Sequence, residues 1–140
     1  MIEHPSSGPE ATAMSLAHVA DPEAAGAMRR AVAEFAYAQG AAERLVMDIA
    51  LAVSEAVTNV IVHAYRDAPR QGVVTVLAER EGDLLHVLVS DDGSGIRPRT
   101  DSPGLGTGLG LIDRVAQSLE VSGGDDEGGG NVRMTFAFAG

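Results

Sequence analysis

From Ala42 to Tyr65 no glycine or proline interrupts the chain, and Ile49, Val53, Ala56, Val57, Val60 and Ala64 recur at helical spacing. Such a run predicts one long helix with a single apolar stripe, and that stripe is stable only when a second layer covers it. The chain must therefore supply a sheet or a helix bundle elsewhere. The sequence after the helix supplies strands. Beyond the turn-forming "RDAPRQG", two β-branched runs, Gly72 to Glu79 and Leu84 to Ser90, flank Glu81-Gly82-Asp83 and predict a hairpin.

The remaining punctuation fills in the order. A short strand is expected at Met14 to Val19. Asp21-Pro22-Glu23 then offers an N-cap, a proline at the first helical position and an acid in the first turn, and Gly40 stops that helix near Gln39. "DDGSGIRPRTDSPGLGTG" is a long Gly/Pro loop. Leu109, Ile112, Val115, Ala116 and Leu119 resume a helical pattern over Leu109 to Leu119. Val121 with its neighbours and Asn131 to Phe138 predict a closing hairpin joined by "GGDDEGGG". Residues 1 to about 11 read as a disordered tail ahead of one domain, 12–140. Strand, two helices, two strands, loop, helix, two strands predicts an α+β two-layer sandwich, with helices on one face of a mixed, mostly antiparallel sheet.

Composition narrows the chemistry. With 20 acidic and 10 basic side chains in 140 residues, the formal net charge of -10 repels a phosphate backbone and argues against direct nucleic-acid binding. There is no cysteine, so disulfides, thiolate metal sites and a thiol nucleophile are excluded. All the basic residues are arginine, which excludes a P-loop and the ATP-pairing lysine of ordinary protein kinases. The absence of a membrane-length apolar run and of a basic, apolar leader predicts a cytoplasmic protein with no membrane partner.

Three segments carry candidate chemistry. In "SEAVTNVIVHAY", Glu55 and Asn59 lie one turn apart, with Asp48 and Glu55 within roughly 40° of Asn59 and His63 one step further round. Their face is nearly opposite the Ile49/Val53/Val60 stripe, as in a cleft wall. A carboxylate there accepts a proton or orders a water, and a neutral amide oxygen suits Mg²⁺. A solvated polar edge fits the same spacing, and a lone His63 fits a structural hydrogen bond. In "LLHVLVSDDGSGI", an apolar strand delivers Asp91 to its end, where a carboxylate accepts from an exocyclic amine and Gly93 and Gly95 let the backbone approach a ligand. An acidic turn fits equally. In "PGLGTGLGLIDRV", Gly104, Gly106, Gly108 and Gly110 precede a helix, an arrangement that binds phosphates through backbone N–H groups or serves as a hinge.

The ordered set, helical Glu-x-x-x-Asn, strand Asp-x-Gly-x-Gly, and Gly-x-Gly running into a helix, resembles the Bergerat/GHKL ATP-binding fold of gyrase, histidine-kinase and mismatch-repair ATPase domains. "EAVTNVIVHAY" is most similar to the corresponding box of bacterial anti-sigma-factor serine kinases, and the resemblance spans roughly residues 12 to 138. It implies ATP and Mg²⁺ as cofactors, Asn59 as the metal ligand, Glu55 as base toward a serine hydroxyl, and Asp91 as the adenine contact. It implies Gly93 and Gly95 around adenine, and Gly106, Gly108, Leu109 and Gly110 along the phosphates. Arg97 and Arg99 are the candidate catalytic cations of the lid.

Two departures from the family pattern stand out. Only the seven residues Arg97 to Pro103 occupy the lid interval that is longer in the better-known kinases, and Gly130 stands where the family has a threonine. The function the resemblance implies is ATP-dependent phosphorylation of a serine on an anti-anti-sigma (STAS-type) partner, coupled to binding and inhibiting a sigma factor, by a homodimer. The alternative is a nucleotide-binding regulator of the same fold that sequesters its partner without phosphoryl transfer.

Overall fold

The computed structural model describes residues 12–67, 72–91, 115–123 and 130–138. Their elements are β1 (Ala13–Val19), α1 (Ala24–Ala38), α2 (Glu43–Asp67), β2 (Val73–Glu81), β3 (Leu84–Asp91), β4 (Ser118–Gly123) and β5 (Gly130–Ala137). The strands form one sheet in the order β1-β2-β3-β5-β4.

The ends of α1 follow from local chemistry. The Asp21 carboxylate accepts the Glu23 N–H at 3.0 Å, as an N-cap does, although regular helix begins only at Ala24. At the other end Gly40 adopts φ +97°, its N–H reaches Tyr37 O and the Ala41 N–H reaches back to Ala36 O. That is a Schellman stop, which needs a left-handed residue and so a glycine. The chain then re-enters helix at Glu43 and runs 25 residues, about 37 Å.

An α1–α2 hairpin between β1 and β2 brings the chain back to the end of the sheet it left, so those strands are antiparallel, with Val19 opposite Val73. The two-residue turn at Gly82-Asp83, with φ +61° at Gly82 as a type II′ turn requires, makes β2 and β3 antiparallel as well. β5 pairs antiparallel with both β3 and β4. The expected mixed sheet is therefore corrected to one that is antiparallel in all four described pairings. β3 and β4 do run in the same direction, but β5 lies between them.

A second correction concerns the helix expected over Leu109 to Leu119. Val115 is helical, but β4 has begun by Ser118, and Leu119 pairs with Met134. The Gln117 N–H already bonds Thr135 O at 2.7 Å. Pairing with β5 overrides the helical spacing of the last apolar residue.

One core holds the two layers together. Met28, Val32 and Ala36 of α1 and Ile49, Val53, Val57 and Val60 of α2 are buried against Val74, Val76, Leu85, Val87, Val89, Val132, Met134 and Phe136. Each such side chain contributes about 1.5–3 kcal/mol on burial. Aliphatic residues dominate the described core, with the ring of Phe136 buried among them.

Candidate nucleotide site

Asn59 and Glu55 lie on α2 away from its core stripe and are both half-buried, as is Asp48. The Asn59 Nδ2 donates to the Glu55 backbone oxygen at 3.1 Å. Because a carbonyl only accepts, this bond fixes which end of the amide is which. The Oδ1 oxygen is then turned away from the helix backbone, and among the described residues it takes no hydrogen bond. A neutral hard oxygen held this way is a suitable single protein ligand for Mg²⁺, which takes most of its donors from phosphate and water. No group of three or more His, Asp or Glu residues able to hold a metal exists among the described residues.

Asp91 ends β3. Leu85, Val87 and Val89 are buried beneath the helices, and the strand period of two puts Asp91 on that same face, opposite Val74. Its Oδ2 is shielded from solvent although the residue as a whole is only half-buried. An acceptor at the mouth of the layer between sheet and helices suits an exocyclic amine inserted edge-on. α2, which bears Glu55 and Asn59, packs on β3, the strand that ends in Asp91.

The other sequence-predicted residues, Gly93, Gly95, Arg97, Arg99, Gly104, Gly106, Gly108, Leu109 and Gly110, lie outside the described residues, as does the tail, 1–11. His63 falls within α2, but its side chain is outside the described set. Ala52 of α2 is fully buried in the core.

Sequence reasoning missed one feature bordering Glu55. Arg29 of α1 joins Met47, Ala50, Leu51 and Ser54 of α2 around an open hollow of about 270 Å³. Met47 and Leu51 remain 63% and 41% exposed there. The signal was present as apolar residues on the wrong side of the helical stripe, but only helix pairing adds Arg29.

Known proteins resemble this chain in family and in fold. The family model described as histidine kinase-like ATPase domain matches residues 18–136. An anti-sigma F factor of Thermoanaerobacter sp. (strain X514) is 32% identical over 118 residues, covering 76% of this chain and 80% of that protein. The anti-sigma F factor of Clostridium acetobutylicum is 40% identical over 83 residues, but that match covers 59% of this chain and only 57% of the relative. Among solved structures, that of the RsbU and RsbW domains of Rv1364c from Mycobacterium tuberculosis superposes with a TM-score of 0.70 at 24% identity, over 89% of this chain and 32% of that one, a likeness of fold. A two-layer α+β fold, an ordered set of nucleotide-box residues and a family match across most of its length together make this chain a member of the histidine kinase-like (GHKL) ATPase family, related to the anti-sigma F factors.

Proposed function

We propose that this protein is an anti-sigma regulator that binds Mg-ATP and transfers the γ-phosphoryl group to a serine of an anti-anti-sigma partner. The observation that carries the reading is Asn59 bonded to the Glu55 backbone, with its Oδ1 turned off the helix, on the helix that packs against the strand ending in Asp91. The 32% identity to an anti-sigma F factor over 80% of that protein supports the regulatory role.

In this mechanism the Asp91 carboxylate accepts from the adenine amine and orients the nucleotide. Asn59 Oδ1 would hold the cation, which would offset charge on the phosphates. The Glu55 carboxylate takes the proton of the incoming serine hydroxyl as its oxygen bonds the γ-phosphorus and the bond to ADP breaks. Gly106, Gly108 and Gly110, with Arg97 and Arg99, supply the donors that a lysine-free chain needs around the phosphates. The hollow beside Glu55 offers a protein acceptor apolar contact and one cation, Arg29. A phosphoserine adds about 1.5–2 negative charges, which this acidic protein repels, releasing the partner and freeing its own surface for a sigma factor. The protein works in the cytoplasm as a homodimer and without direct nucleic-acid contact; no helix among the described residues is long and apolar enough to cross a membrane.

The second reading, nucleotide-dependent sequestration without transfer, is favoured by the short interval Arg97 to Pro103. Calorimetric titration with ATP, with and without Mg²⁺, followed by a labelled-phosphate transfer assay against STAS-type proteins, tests both. Mg-dependent binding with transfer supports the kinase. Binding alone leaves the sequestering regulator, and no binding by wild type sinks the nucleotide site.

A further inference from the structure

The face of the sheet turned away from the helices carries a hydrogen-bonded line of side chains, on the other side of the sheet from α2. Leu85, Val87 and Val89 of β3 and Met134 and Phe136 of β5 are buried. The strand period of two therefore sends His86 and Thr135, with Leu84, Leu88 and Arg133, to the opposite face. His86 and Thr135 are directly opposed across β3 and β5. The His86 Nδ1 lies 3.2 Å from Thr135 Oγ1, and its Nε2 lies 2.9 Å from Glu81 Oε1 at the end of β2. A carboxylate, an imidazole and a hydroxyl thus stand in line, supplied by three adjacent strands.

The order of donors along this line is set by its carboxylate end. Glu81 Oε1 only accepts, so Nε2 carries the ring proton. In the neutral ring Nδ1 is then bare, and the Thr135 hydroxyl donates to it. A hydroxyl bonded to an imidazole whose far nitrogen is held by a carboxylate is the arrangement that activates an oxygen nucleophile. The His86 side chain is 30% exposed and that of Glu81 78%, so small reagents in solution reach the line.

The geometry points to Thr135 as a covalent acyl-acceptor site, with small acyl phosphates as its donors. In the step, Thr135 Oγ1 bonds the carbonyl carbon of the donor as its proton passes to His86 Nδ1. The bond from that carbon to the phosphate oxygen breaks, the phosphate leaves with the proton, and the acyl group stays on the threonine as an ester. Glu81 is a positioning residue that holds the ring in the required tautomer. The surroundings select the donor. Arg133 lies two residues along β5 on the same face, about 7 Å away, and presents a guanidinium to a phosphate. Its approach to Glu120, at 3.9 Å, is too long for a hydrogen bond. Leu84 and Leu88 flank His86 on β3 and give an acyl chain apolar surface. β3 and β5 are each paired on both sides, so their backbone N–H groups are engaged in the ladders and do not form an oxyanion hole. The donor must therefore bring its own good leaving group, and the ester once formed is not rapidly turned over.

The test is incubation of the full chain with acetyl phosphate, read by intact mass and peptide mapping. The chain contains no lysine, so side-chain amines do not compete for the label. Ser118, exposed and opposite Thr135 on β4, is the internal control. The expected result is one acetyl group on Thr135, added at roughly tenfold or more the rate at Ser118, kept in Thr135→Ser and absent from Thr135→Val. His86→Gln should slow the reaction by about 10²-fold or more and abolish the solvent deuterium isotope effect of the proton transfer. Glu81→Gln should slow it as well, and nitrogen NMR should find the His86 ring proton on Nε2 in the wild type and no longer fixed there in the variant. Label at Ser118 as fast as at Thr135, a phosphoryl group in place of the acetyl, or a wild-type neutral ring with its proton on Nδ1 overturns the site. So does a wild-type Thr135 that stays unlabelled. None of these outcomes bears on the nucleotide site, which α2 carries on the other side of the sheet.

Discussion

The two faces of α2 differ in what they are built to withstand. On one, Ile49, Val53, Ala56 and Val57 are completely buried against α1 and the sheet. On the other, Glu55 and Asn59 are half-buried and make no ion pair among the described residues, while Met47 and Leu51 stand open to solvent. The first face holds the fold together. The second is expensive to retain for stability alone, because polar groups half-removed from water contribute little unless something binds them. The contrast teaches where to look for function on a helix whose propensity and stripe already account for its folding.

The sharpest way to break the contrast is to put a charge on the first face. Val57→Asp buries an unpaired carboxylate, at a cost of several kcal/mol against a total stability of about 5–15 kcal/mol. Circular dichroism should show loss of the cooperative transition. Ile49→Ala is milder: a fully buried side chain is truncated, the cavity only partly relaxes, and urea unfolding should report a loss of about 2–5 kcal/mol with the fold kept. Leu51→Ser, two residues along but on the open face, should change stability by no more than about 0.5 kcal/mol in the same assay. If Leu51→Ser were as damaging as Ile49→Ala, the division of α2 into two faces would be wrong.

Much of this was readable in the residues. The Gly- and Pro-free run gave α2 to within a turn, because a long amphipathic period has no competing reading, and Glu81-Gly82-Asp83 gave the β2–β3 hairpin because a turn there requires positive φ. Leu119 was misread since its spacing from Val115 and Ala116 fits a helix, and only the partner strand, through Met134, decides otherwise. The antiparallel character of the whole sheet depended on β5 inserting between β3 and β4, a long-range choice with no local signature. At the site, the residue types and their common face were legible from helical geometry. The bond from Asn59 to the Glu55 backbone and the solvent shielding of Asp91 Oδ2 were not, since both depend on rotamer and packing.

Those details lead to the variants with the smallest effect on stability, which are also the most informative about function. Asn is about 0.6 kcal/mol poorer than Ala in a helix interior, and the one hydrogen bond the Asn59 side chain makes goes to its own helix, where that carbonyl also serves the backbone ladder. Asn59→Ala should therefore leave the unfolding midpoint unchanged or raise it slightly. Calorimetry on the same sample should find Mg-dependent ATP binding weakened at least tenfold, because the amide oxygen proposed as the metal ligand is gone. Glu55→Ala should be equally stable and should still bind nucleotide, but lose phosphoryl transfer by about 10²-fold or more, the usual contribution of a positioned base. A residue that can be removed without loss of stability, yet with loss of ligand, is held in the sequence by the ligand. If Asn59→Ala instead unfolded easily and bound ATP as before, the second face of α2 would be structural and the nucleotide would have to be sought elsewhere on the molecule.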